Sequence, residues 1–130
     1  MSESSTEDQP STEDQQATED QRATEDQRAR LESLREMLAD DPASTFLRYG
    51  LAMQLKSLGL AEQALTEYLR LVNETPDYLA TYYHYAALLG EEAREEEGVA
   101  VARLGVTRAE AAGNSHAKGE LLDLIDELDG

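Results

Sequence analysis

The sequence predicts an all-α chain of antiparallel helical pairs, and three observations carry the prediction. From residue 29 to 128 the apolar residues recur at three- and four-residue spacing, with no alternating strand pattern. The segments so marked are joined by short connections, several of them holding Pro or Gly. Two of the prolines, Pro42 and Pro76, stand 34 residues apart, a separation that signals a stacked helical repeat.

The chain begins with something different. Residues 6–29 read TEDQPS, TEDQQA, TEDQRA, TEDQRA, a tandem hexapeptide with almost no apolar content. Such a segment buries too little surface to offset an ordering cost of about 1–2 kcal/mol per residue. Residues 1–26 are therefore expected to form an acidic, mostly disordered tail, disordered at least through residue 20, and residues 27–130 the folded domain. Thr24 and Gln27 fit a capping box, which places the start of the first helix in the last hexapeptide.

That helix carries Leu31, Leu34, Met37 and Leu38 on one face and ends at DDP, residues 40–42. A second periodic segment covers 44–58 and breaks at Gly59. A third covers 61–74 and stops before Pro76, because the residue preceding a proline is pushed out of the helical region. The fourth, 77 to about 92, holds the cluster Tyr78, Tyr82, Tyr83, His84 and Tyr85. A fifth is expected over 99–112, and Gly113-Asn114 then reads as a stop and restart. The sixth places Leu121, Leu122, Ile125 and Leu128 on one stripe and closes the chain.

Counting back from Pro76 gives the register individual meaning. Ala52 and Ala64 fall where two helices cross too closely for anything larger, and Tyr68 falls where a large side chain fills the space opposite. Leu51 and Leu55 take core positions and Gly59 the turn. The next 34 residues repeat the pattern with Tyr82, Tyr85, Ala86 and Leu89. Departures are Arg48 at a place usually apolar, Gly98 for alanine, Ala93 for the turn glycine, and no closing proline.

In these features the chain resembles a small bacterial tetratricopeptide-repeat protein over residues 29–128: about two repeats with a capping helix at each end. The resemblance implies a right-handed superhelix of αα-hairpins and a non-enzymatic module that binds a protein or peptide. In that family the flank of each pair's first helix lines a concave groove. Carried over, the groove takes Phe46, Tyr49, Met53 and Lys56 from the first pair and Ala80, Tyr83 and Ala87 from the second, with Tyr49 and Tyr83 as neighbours. Tyr78, Tyr82 and Tyr85 are left to the core, and His84 is expected to be exposed, pointing away from it.

Charge narrows the partners. A net charge of −17 excludes nucleic acid and anionic membrane as direct partners, since both need clustered Lys and Arg. Only two of the 11 basic residues, Lys56 and Lys118, are lysines, a composition that resembles salt-adapted or GC-rich bacterial proteomes. The absence of cysteine makes the cytoplasm the default compartment. No phosphate-binding loop or nucleophile elbow is present, so no cofactor or enzymatic activity is expected. His116 and Glu120 form an i, i+4 pair that would hold a metal only if further ligands converged, and none is expected. The chain is expected to be a monomer or weak homodimer, and self-assembly through exposed helix faces is the alternative function.

Overall fold

The computed structural model describes residues 12–130, with side chains from residue 24 onward. Six helices make up the described residues: α1 (Thr12–Asp40), α2 (Thr45–Ser57), α3 (Ala61–Glu74), α4 (Ala80–Glu91), α5 (Glu95–Ala112) and α6 (Ser115–Asp129). Each helix packs on the next, α2 with α3 and α4 with α5 forming the two pairs, while α6 also reaches α4. The architecture is an all-α helical repeat.

Several boundaries differ from expectation. The helix α1 runs back through the hexapeptides to Thr12, so Thr24 lies within it and is not its cap. Glu, Gln, Ala and Arg dominate these hexapeptides, and all lose little rotamer freedom in a helix. Residues 1–11, part of the expected tail, lie outside the described residues. The first buried side chain among those described is Leu31. Slightly earlier, Gln54 Nε2 donates to the carbonyl of Gln27 at 3.2 Å, tying α1 to α2. At the other boundaries, α4 starts at Ala80, after a turn that holds Asp77 and Tyr78, and α5 starts at Glu95. Glu95, Glu96 and Glu97 form the first turn of α5, where carboxylates interact favourably with the helix dipole.

Two clusters of buried residues form the core of the described chain. The first joins Leu31 and Leu38 of α1 to Leu51, Ala52 and Leu55 of α2, to Ala64, Tyr68 and Leu71 of α3, and to Leu88 and Leu89 of α4. The second takes Tyr82 and Ala86 from α4, Val99 and Ala102 from α5, and Leu121, Leu124 and Ile125 from α6. Ala52 and Ala64 are fully buried at the first crossing, as the register requires. At the second, a Cβ on Gly98 would stand 2.9 Å from the carbonyl oxygen of Ala86, which explains why alanine is replaced there. Tyr68 and Tyr82 are fully buried, whereas Tyr78 and Tyr85 are only half-buried, Tyr85 stacking on Tyr68 at 6.0 Å.

Met37 and Leu122 correct the sequence reading, being 47% and 44% exposed. Leu34 is half-buried, and in α6 Leu124 takes the buried place expected for Leu122. These residues lie on the first and last helices of the stack, which have a neighbour on one side only.

Arg48 is 6% exposed in a position that usually holds a large apolar side chain. Its guanidinium donates to Glu67 Oε2 at 2.9 Å and to the carbonyl of Pro42 at 3.2 Å. One side chain thereby ties α2 to α3 and to the preceding turn, and its buried charge has a partner.

Ala93, standing where the repeat calls for glycine, adopts φ 60°, the counterpart of Gly59 at φ 77°. A Cβ in this region costs about 1 kcal/mol, so Ala93→Gly is expected to raise the unfolding free energy by about 0.5–1 kcal/mol. Thermal denaturation checks this; an unchanged or lower Tm would contradict it.

Candidate functional site

The flanks of α2 and α4 bring most of the expected groove residues onto one surface. Phe46, in the first turn of α2, is 75% exposed, the most exposed of the large apolar side chains described. One turn on, the Tyr49 ring lies 5.3 Å from Tyr78 and 5.8 Å from His84. Tyr83 meets the histidine edge-on at 5.5 Å. Tyr49 and Tyr83 each contact His84 rather than one another. Ala80 is exposed and Ala87 half-buried, so α4 presents small side chains on either side of the Tyr83–His84 pair.

At this site, His84 departs from the expectation of an exposed side chain. A helical wheel centred on the apolar arc of α4 turns it away from that helix's own core. In the folded chain the Tyr49 ring of α2 reaches it, and it is half-buried. The only signal available in advance was the 34-residue register, which sets α4 against α2 along this edge.

Met53 and Lys56 are each partly engaged elsewhere. The Tyr68 hydroxyl donates to Met53 Sδ at 3.0 Å, directing the thioether toward the core. Lys56 Nζ approaches Glu91 Oε1 at 3.7 Å, an ion pair across α2 and α4. Tyr49 and Met53 buttress the first core cluster, Tyr83 and Ala87 the second, so the groove residues straddle the two.

Burial raises the Tyr49 hydroxyl pKa, with Tyr78 adding to the effect. The His84 pKa is lowered, first by burial and then by the Lys56 charge, against a smaller upward pull from Glu120 on α6. Between the folded and unfolded values, the unfolded chain binds the proton that the folded chain refuses. Stability supplied by neutral His84 is therefore complete above about pH 6.5 and is lost as pH falls through the folded pKa. His84→Gln is expected to flatten the decline of Tm between about pH 7 and 5; parallel curves for variant and wild type would contradict it.

Away from the groove, α1 and α2 enclose a shallow cavity of about 410 Å³ lined by Ala29, Arg30, Leu34, Met37 and Gln54. His116 pairs with Glu120 on an exposed stretch of α6. Among the described residues, no three metal-ligating side chains gather, and no helix is long and apolar enough to cross a membrane.

Paired helices meeting at small residues in a 34-residue register define a class, the helical repeat proteins whose exposed faces serve as interaction surfaces. Among solved structures the chain matches the solution NMR structure of a tetratricopeptide repeat domain protein from the bacterium Salinibacter ruber. The match is at 30% identity with a TM-score of 0.65, covering 68% of this chain and 90% of that one. The crystal structure of a tetratricopeptide repeat domain protein from Salinibacter ruber matches at 30% identity with a TM-score of 0.63, covering 67% and 97%. No family model and no curated protein matches the sequence. The chain belongs to the tetratricopeptide-repeat family. Its fold is that of a protein-interaction module and serves generally as a non-enzymatic scaffold.

Proposed function

We propose that the surface shared by α2 and α4 holds a segment of a partner protein, with Phe46, Tyr49 and Tyr83 as its principal contacts. The observation that carries this is the ring series Tyr49, His84, Tyr83 bridging two helices, next to a Phe46 that is 75% exposed. Aromatic rings supply large contact area at low entropic cost and dominate binding hot spots. Ala80 and Ala87 leave room for an incoming side chain. Lys56, ion-paired with Glu91, and Met53, whose thioether accepts from Tyr68, border the site. The binding needs no cofactor or metal, and the cytoplasm is the proposed compartment.

Peptides selected from a display library, followed by amide-shift mapping, test the assignment. Shifts should concentrate at Tyr49, Met53 and Tyr83, and Tyr83→Ala should weaken binding by about 1–3 kcal/mol. Shifts that avoid these residues would overturn it. Self-assembly through exposed helix faces is supported by the exposure of both Phe46 and Met37. Sedimentation over a concentration range separates the two readings, since a chain that stays monomeric removes self-assembly.

A further inference from the structure

The charge of the chain is unevenly distributed. Residues 27–57 hold five Lys and Arg against four Asp and Glu, while residues 58–130 hold five against fifteen. The groove residues of α2 thus lie in a nearly balanced segment and those of α4 in a strongly acidic one.

Within the groove, Lys56 is the cation among the assigned contacts, and Glu91 already neutralises it at 3.7 Å. The Glu91 side chain remains 57% exposed, with carboxylate surface to spare. The helix α6 packs against α4, and its Glu120, paired with His116 on the same helix and 51% exposed at its side chain, also acts electrostatically on His84. Glu127, exposed and seven residues further on, falls on the same line of that helix. An aromatic floor of Tyr49, Tyr83 and His84 is therefore flanked by carboxylates from α4 and α6.

We infer that the segment held in this groove is basic, an Arg- or Lys-bearing peptide whose cationic side chains lie over Tyr49 and Tyr83 and reach Glu91 and Glu120. This rests on the groove assignment above and adds the chemistry of the occupant. Arginine suits the site on two counts: its planar head stacks on aromatic faces while its N–H groups reach carboxylates. An acidic peptide meets the opposite conditions, because it must take Lys56 from Glu91 while approaching Glu120 and Glu127.

The test uses the full chain, immobilised in about 150 mM salt so that distant charges are screened, and a randomised dodecapeptide display library. Selected peptides are measured by fluorescence polarisation against wild type, Glu120→Lys and Glu74→Lys. The last variant makes the same charge change on α3, outside the groove. Peptides rich in Arg and Lys are expected, with Glu120→Lys weakening them about tenfold or more and Glu74→Lys less than about twofold. Groove-mapped peptides without basic residues would overturn the inference and leave the groove assignment standing. Equal losses in the two variants would reduce the attraction to net charge and overturn it as well. Peptides whose amide shifts avoid Tyr49 and Tyr83, or a library that yields none, would remove the groove assignment and the inference with it.

Discussion

Truncation of Tyr82 to alanine is expected to lower the unfolding free energy by about 3–5 kcal/mol, the range for losing a large aromatic side chain from a core. The side chain is fully buried in the second cluster, where Gly105 of α5 lies against both Tyr82 and the Leu121 side chain of α6. Its hydroxyl also donates to the carbonyl of Pro76, fixing the turn that leads into α4. Tyr82→Phe separates the two contributions, since it keeps the packing and forfeits about 1 kcal/mol of hydrogen bonding. Urea denaturation measures both. With a typical total stability of about 5–15 kcal/mol, the alanine variant should be marginally folded. A loss below about 1 kcal/mol would show that the ring is not the keystone of α4, α5 and α6.

The second large effect comes from adding a single methyl group. Gly→Ala within a helix usually stabilises by about 1 kcal/mol, because alanine loses less backbone entropy. At Gly105 a Cβ would lie 2.6 Å from Tyr82 Cβ and 2.9 Å from Leu121 Cδ1. Leu121 can rotate away, but the Tyr82 Cβ is carried by the backbone of α4 and must move with it. Overpacking of this kind costs about 3 kcal/mol, so Gly105→Ala should destabilise by about 2 kcal/mol net. Gly119, on α6, has nothing within 4 Å of the same position. Gly119→Ala should therefore stabilise by about 0.5–1 kcal/mol. Opposite signs for one substitution at two helical glycines are the expected result, and a stabilised Gly105→Ala would disprove the close crossing of α4 and α5.

The proline register made most of this core readable. It placed Ala52, Ala64, Tyr68, Tyr82 and Ala86 inside, and all five are fully buried. It also marked Ala93 as a stand-in for glycine, and the positive φ follows from that. Periodicity failed at Met37, Leu122 and His84 for one physical reason. A helical wheel shows the apolar arc of an isolated helix but not which neighbours cover it. At the ends of the stack a neighbour is missing, so Met37 and Leu122 stay exposed. In the middle, the Tyr49 ring reaches across from α2 to His84, which is half-buried. The ion pairs of Arg48 and Lys56 were harder to read, since sequence alone does not choose among 28 carboxylates.

The division of the core into two clusters has a consequence for how the chain loses its structure. Among the described residues, only α4 gives fully buried side chains to both, Leu88 and Leu89 to one and Tyr82 and Ala86 to the other. In a stacked array each unit is held by its immediate neighbours alone, so either half can open while the other stays closed, with α4 as the hinge between the two openings. A peptide touching Tyr49 and Tyr83 at once would bind only when both halves are shut. Occupancy would then convert two loosely linked melting units into a single cooperative one.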